Sequence, residues 1–309
     1  MPWIAWAVVR TFGLDGVHPL TGAMAFTPYV AATAPLPLIA ALALRSPIVS
    51  AVALGAALLL GAAILPRALE GPQPAAAAGG RTLVVMSSNM LVGSADAAAI
   101  VRLARSHRVD VLSLQELTPE AVKRLDGAGI HGLLPGRVLD PRAGASGSGL
   151  MARRALRQIG GDDSAHHAQP EAALALGGGG QLRVKVVHPI PPLSGASAST
   201  WRRELRGLPG PATGGVGGVA RLLVGDFNAT LDHGEFRRLL ARGFHDAADV
   251  TGDGLRSTWP VGSARPPITI DHVLVPATVR VRRLSVHEIP GSDHRAIIAE
   301  LVLPARGAT

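Results

Sequence analysis

Between Ser46 and Leu65 the chain carries no charged residue, and Arg45 and Arg67 bracket the run. About 20 predominantly apolar residues suffice for a helix to cross a bilayer, and this run supplies them. Gly22–Leu44 is also free of charge but contains Pro28, Pro35 and Pro37. These predict kinks, which membrane helices tolerate better than soluble ones. Pro2–Leu14 is a weaker run broken by Arg10: a stub of a further span, or an interfacial segment. A helix buried in a soluble core normally keeps a polar face, and Ser46–Leu65 has none, which argues against a soluble hairpin. A cleaved signal peptide fits poorly because the run lies deep in the chain, although Ala75–Ala78 resembles a cleavage site. Residues 1–65 therefore read as a membrane anchor of two to three hydrophobic helices. Arg45 lies in the short turn between two spans, and cytoplasmic loops favour Lys and Arg. The expectation is a multi-pass protein of the cell membrane with the remainder extracytoplasmic, although Arg67 on that side opposes it.

Residues 66–80, rich in Pro, Ala and Gly, read as a linker, and 81–309 as a second domain. The absence of cysteine excludes disulfides, thiolate metal sites and cysteine nucleophiles. The formal charge of +8 is carried almost wholly by arginine, with lysine only at positions 123 and 185. Such an arginine bias reflects coding composition and is discounted as a nucleic-acid footprint. Periodicity predicts strands at Thr82–Ser88, Val109–Leu114, Leu150–Ile159, Ala172–Leu176, Leu182–His188, Leu222–Gly225, Ile270–Val275, Val279–His287 and Ala296–Leu303. Helices are predicted at Ala95–His107, Pro119–Asp126, Thr200–Leu208 and Gly234–Arg242, the last with Asp232 as its N-cap. Gly177–Gly180 lacks a following Lys-Ser/Thr and precedes a strand, so it predicts a hairpin turn rather than a phosphate loop. Strands outnumber helices, which suggests two packed sheets flanked by helices, an α/β sandwich.

Polar residues recur where the predicted strands end. Asn89 follows Leu83–Ser88, Gln115-Glu116 follow Val111–Leu114, and His188 follows Val184–Val187. Asp226 and Asn228 follow Leu222–Val224, Asp271-His272 interrupt Ile268–Val275, and Asp293-His294 precede Ala296–Ile298. Strand ends on one sheet edge converge, so these groups can form one cluster of carboxylates, carboxamides and imidazoles. Such an oxygen-rich set suits Mg²⁺, Mn²⁺ or Ca²⁺ better than a structural zinc. Singly, each has a plain reading as a turn residue, a helix cap or a solvated strand end.

Together and in this order, Gln115-Glu116, His188-Pro189, Gly225-Asp226-Phe227-Asn228-Ala229, Ile270-Asp271-His272 and Gly291-Ser292-Asp293-His294-Arg295 resemble the signatures of the endonuclease/exonuclease/phosphatase (DNase I-like) superfamily. The resemblance covers about Arg81–Leu303. It implies a four-layer α/β/β/α sandwich and divalent-metal-dependent hydrolysis of phosphodiesters or phosphomonoesters by water. It implies that Glu116 holds the metal, with Asn89 beside it and Asp293 a further ligand or anchor. His294 becomes the general base or a phosphate-binding imidazolium oriented by Asp271. Asp226 positions the nucleophile or passes a proton, and Asn228 and His188 donate to non-bridging oxygens. His272 reads as structural, His166-His167 as a solvated loop, Trp259 as a core or site-flanking ring and Trp201 as packing. The only tyrosine is Tyr29, in an apolar run, so the subgroup with an active-site tyrosine fits poorly. The implied partners are a phosphate ester (nucleic acid, lipid headgroup or small molecule) and the bilayer, with no obligate protein partner. A non-catalytic domain of the same fold is the competing reading, opposed by the intact set. A transporter is a third reading, opposed by the lack of intramembrane acidic pairs.

Overall fold

A computed structural model of the chain describes residues 2–75, 80–161, 166–177, 180–213 and 219–304. Residues 76–79, 178–179 and 214–218 lie outside these, and with them the middle of the hairpin turn expected at Gly177–Gly180. Five helices come first: α1 (Pro2–Phe12), α2 (Leu20–Ala23), α3 (Thr27–Thr33), α4 (Pro35–Ala43) and α5 (Pro47–Ile64). There follow β1 (Arg81–Asn89), α6 (Ala97–Ser106), β2 (Val111–Gln115), α7 (Pro119–Gly127), α8 (Ile130–Leu133), β3 (Gly136–Asp140), β4 (Ser148–Ala152), β5 (Leu156–Gly160), β6 (Glu171–Gly177) and β7 (Gly180–Val187). The chain continues through α9 (Gly195–Gly207), β8 (Ala212–Thr213), β9 (Val219–Asp226), α10 (Gly234–Leu240), β10 (Phe244–Asp246), α11 (Ala247–Val250), β11 (Asp271–Pro276), β12 (Arg280–Glu288) and β13 (Arg295–Leu303).

One sheet runs β12-β13-β1-β2-β4-β3 and the other β10-β11-β9-β7-β6-β5, with β8 beside β9. Their facing sides share a core that includes Val85, Val111, Leu150, Val184, Leu222, Val224, Val273 and Ile297. The alternate residues pack outward. Leu112 and Ile298 meet Ile100, Val101 and Leu125 of α6 and α7, while Leu223 and Leu274 meet Trp201 of α9 and Phe236 of α10. This period of two on strands buried on both faces gives the four layers the motifs implied. Helix starts follow local chemistry. Asp96 caps Ala98 and Ala99, Thr118 caps Ala121 with Pro119 in the first turn, and Ser194 and Ser197 form a capping box.

Several local expectations change. Leu150–Ile159 is two strands on different sheets, because the adjacent charges Arg153-Arg154 cannot continue a buried strand. β3 and β10 escaped the pattern because they are short edge strands of mixed polarity. The three closing strands are not one meander: β11 joins β9, while β12 and β13 pair in the other sheet.

Two helical stretches, Leu20–Ala43 and Pro47–Ala68, are long and apolar enough to cross a membrane by length and composition. Pro28 and Pro35 each open a new helix, so the first stretch is broken as expected. The apolar helices are fastened to the sandwich. Asp232 is buried and does not cap α10. It accepts from Arg67 Nη1 and Nη2 at 2.9 and 2.6 Å and from Arg10 Nε at 3.0 Å. The α10 N-terminus instead receives Asp15, whose carboxylate accepts from the Gly234 N–H at 3.0 Å. Tyr29 donates to the Pro267 carbonyl at 2.7 Å. The start of the 66–80 stretch is also tied down. Gly71 N bonds the Val250 carbonyl at 3.1 Å, and Gln73 accepts from Val281 N at 2.8 Å.

Candidate active site

Each sheet contains one parallel pair, β1–β2 and β7–β9, among antiparallel neighbours. Open sheets bind ligands beyond the carboxyl ends of parallel strands, and the polar residues gather there. β1 ends at Asn89, β2 at Gln115 with Glu116 next, β7 at Val187 with His188 next, and β9 at Asp226. Asp271 opens β11 in register with Asp226, and His294 directly precedes β13. A buried polar chain joins the sheets at this end. Ser87 donates to Gln115 Oε1 at 3.2 Å, Gln115 Nε2 to Ser113 Oγ at 2.9 Å, and Ser113 Oγ to the Val224 carbonyl at 3.0 Å.

The glycine preceding Asp226 is dictated by packing. Gly225 has φ +154°, and an added Cβ would stand 2.1 Å from the Val187 carbonyl oxygen. Gly225→Ala is expected to lower stability by at least about 2 kcal/mol through backbone strain and overpacking. Urea unfolding followed by tryptophan fluorescence checks this, and an unchanged midpoint contradicts it. Gly291 is held similarly, at φ +80° with its Cβ direction 2.6 Å from the Ser94 carbonyl oxygen. Ser292 then donates to the Asn89 carbonyl at 2.9 Å, tying the Ser-Asp-His turn to β1.

Asp226 is the hub. Its Oδ2 accepts from Asn89 Nδ2 at 3.2 Å and lies 3.8 Å from His294 Nε2 and 3.9 Å from His188 Nε2. Those two gaps exceed a hydrogen bond and suit a bridging water or substrate oxygen. Its Oδ1 accepts from the Asn228 N–H at 2.8 Å. Asn228, at φ +48°, donates Nδ2–H to the Pro189 carbonyl at 3.0 Å, joining the His188 segment to the Asp226 loop. Asn89 Nδ2 also donates to Glu116 Oε1 at 3.1 Å, and Glu116 Oε2 accepts from Val92 N at 2.7 Å. His294 Nδ1 bonds Asp271 Oδ2 at 2.9 Å. Trp259 Nε1 donates to Asp293 Oδ2 at 2.8 Å, and the Trp259 ring lies 6.3 Å from that of His294. The eight candidate site residues of the sequence thus gather at one end of the two sheets. Asn89, His188, Asp226, Asp271 and His294 are buried, whereas Glu116, Asn228 and Asp293 reach solvent.

Burial raises Asp226 to about 7, helped by Asp271 and Glu116 and opposed by His294. Burial alone would lower His294, but Asp271, Asp226 and Asp293 outweigh it and raise His294 to about 10. His188 is driven well below its ordinary value by burial and by the neighbouring imidazoles of His167 and His294. His294 is therefore an imidazolium at neutral pH and His188 is neutral.

The set fits a divalent cation. Glu116, Asp226, Asp271 and Asp293 are bonded to no lysine or arginine among the described residues. Asp271 Oδ1 and Asp293 Oδ1 are enclosed without a protein partner. Ligand atoms of Asp226, Asp271 and His294 lie within 4.8 Å of one another. A protonated imidazole cannot ligate, however, so the carboxylates carry the site's affinity for a cation.

His272 is structural, bonded to Asp246 at 2.7 Å and the Ala229 carbonyl at 2.8 Å. Trp201 is fully buried and donates to the Phe227 carbonyl at 3.1 Å. His167 departs from its expected solvated loop. Its ring lies 4.4 Å from that of His188 at an interplanar angle of 41°, with Nδ1 enclosed and without a hydrogen-bond partner among the described residues. Burial lowers its pKa against the pull of Glu204 and Glu116. No periodicity or motif marks this residue in the sequence.

The sequence signature of the endonuclease/exonuclease/phosphatase family matches residues 86–294. No curated protein matches significantly. Solved structures of the same fold include humanized D. rerio TDP2, at 17% identity and TM-score 0.53 over 71% of this chain and 98% of that one. An endonuclease/exonuclease/phosphatase family protein from Bacteroides thetaiotaomicron matches at 16% identity and TM-score 0.51, over 73% and 99%. The endonuclease/exonuclease/phosphatase from Beutenbergia cavernae DSM 12333 matches at 17% and 0.53, over 74% and 73%. Identities this low speak for the fold alone. With the family signature spanning more than half of its length, the chain belongs to the endonuclease/exonuclease/phosphatase family.

Proposed function

We propose that the protein is a membrane-anchored, divalent-metal-dependent phosphoester hydrolase that works by direct attack of water. One observation carries this reading: a buried carboxylate, Asp226, flanked at 3.8 and 3.9 Å by an imidazolium, His294, and a neutral imidazole, His188. Asp226, raised to about 7, has the basicity a general base needs near neutral pH, and it takes the proton of the attacking water. His294, charged and oriented by Asp271, donates to a non-bridging phosphoryl oxygen. Neutral His188 and the second N–H of Asn228 supply further donors to the phosphate. His167 packs its tilted ring against that of His188 and helps to hold it. Glu116 holds the cation, Mg²⁺ or Mn²⁺ first and Ca²⁺ next, with Asn89 and Asp293 beside it. When bound, the cation polarises the phosphoryl group and neutralises developing charge. The solved D. rerio TDP2 complex with a single strand DNA product is consistent with a phosphoester as substrate class.

The pH profile of kcat/KM tests these assignments. Asp226 must be ionised, so the rate rises with pH up to about 7. A cation at Glu116 pulls that limb lower. His294 must stay protonated, so the rate falls above about 10. A profile that climbs steadily through pH 10 contradicts His294 as the charged donor.

Residues 1–65 form the anchor in this reading and 81–309 the catalytic domain, joined by 66–80. Leu36, Ile39, Leu42, Ile48 and Leu58 are exposed on the apolar helices, as a lipid-facing surface requires. Arg10 and Arg67 share the single negative charge of Asp232, whereas Arg45 forms no ion pair among the described residues. That favours a cytoplasmic Arg45 turn and an extracytoplasmic site.

A further inference from the structure

A cavity of about 620 Å³ lies between the apolar helices and the sandwich, within the roughly 300–1,000 Å³ typical of small-molecule sites. One wall is Pro28, Ala31 and Pro35 facing Ala57 and Gly61 across the helix pair. These small side chains leave the space open. The floor belongs to the sandwich: Thr230–Asp232 and Pro267–Thr269. Thr230 lies two residues after Asn228, and Thr269 two residues before Asp271. The cavity floor and the phosphate-handling edge are thus made by the same two chain segments.

The cavity runs along the second apolar helix. Arg67, at the sandwich end, and Ala57 both line it. α5 itself lines the cavity from Ala57 to Ile64, a stretch of about 10 Å at 1.5 Å per residue. An occupant there has an apolar body along Ala57, Gly61, Ile64 and Leu65 and a head at the level of Thr230 and Thr269. We infer that this cavity receives the hydrocarbon chain of a membrane lipid bearing a phosphate ester and presents that ester to the Asp226–His294 site. The inference rests on the phosphoester-hydrolase reading and narrows its substrate to amphipathic phosphate esters of the adjoining leaflet.

The test uses the full chain in dodecylmaltoside micelles hydrolysing bis-p-nitrophenyl phosphate. Phosphatidic acid is the competitor, with either two oleoyl or two hexanoyl chains. The long-chain competitor is expected to inhibit at least tenfold more strongly. A Cβ on Gly61 would meet only Leu65 Cδ1, at 3.8 Å, so Gly61→Leu fills the cavity without a backbone clash. Ala57→Leu fills it from the turn before. Both substitutions are expected to cut the long-chain advantage to less than threefold. Equal inhibition by the two chain lengths, or an advantage that survives both substitutions, overturns the inference while leaving the hydrolase reading intact. Absence of any bis-p-nitrophenyl phosphate turnover overturns both.

Discussion

Asp226→Asn is expected to lower kcat on bis-p-nitrophenyl phosphate by about 10³-fold, within the 10²–10⁴-fold contribution of a positioned general base. The substitution is nearly isosteric and keeps one oxygen, which the Asn228 N–H can still bond at 2.8 Å, while the new NH2 group faces Asn89 Nδ2 and gives up the weaker 3.2 Å contact. What disappears is the capacity to accept a proton. The limb of the pH profile below neutrality should disappear with it, because Asp226 is the site carboxylate whose affinity for a proton burial lifts to about 7. A structural role for Asp226 predicts a different pattern: lower stability, an unchanged pH profile and a smaller loss. Purified protein assayed for kcat, thermal midpoint and pH dependence separates the two.

Asp232→Ala is expected to destabilise the full chain by about 3–5 kcal/mol, because it strands two guanidinium groups inside the protein. Asp232 is wholly enclosed, and Arg67 and Arg10 keep only 6% and 16% of their side-chain surface. In a protein of this size such a loss lowers the melting temperature by about 10 °C. It also frees the start of the 66–75 segment for protease. Replacing the whole cluster, with Arg10→Met, Arg67→Met and Asp232→Leu together, should restore most of the stability, since apolar isosteres remove the desolvation cost of all three charges. A single Asp232→Ala protein that melts like the parent would mean that the helices and the sandwich do not depend on this contact.

The two residues illustrate how far the amino-acid order can be read. Asp226 is legible because the polar residues of the candidate site sit at strand exits, and a strand of Leu222–Val224 followed by Gly-Asp-Phe-Asn announces one. Its environment also follows from local rules: parallel neighbours bring Val187 beside Gly225, so only glycine fits. Asp232 looked like a helix cap because it stands two residues before α10. Its partners lie 165 and 222 positions away, and no local pattern encodes a pairing across that distance. The 66–80 stretch looked like a spacer for the same reason. Arg67 and Gln73 are held by Asp232 and Val281, which only the fold brings near. His167 goes unmarked because a loop residue whose ring packs against that of His188 carries no periodicity. The split of Leu150–Ile159 was visible in Arg153-Arg154, two charges in a row that the apolar flanks obscured.

The most direct test of the central claim is hydrolysis of bis-p-nitrophenyl phosphate by the full chain in detergent, with Mg²⁺ or Mn²⁺, with excess EDTA, and after readdition of the metal. Parent and Glu116→Gln proteins are compared, and isothermal calorimetry follows Mn²⁺ binding in parallel. The parent is expected to bind Mn²⁺, to lose activity on chelation and to regain it on readdition. Glu116→Gln is expected to bind Mn²⁺ at least tenfold more weakly and to require correspondingly more metal for turnover. Turnover that persists in EDTA, or Mn²⁺ binding unaffected by Glu116→Gln, would contradict a metal-dependent hydrolase built on this site.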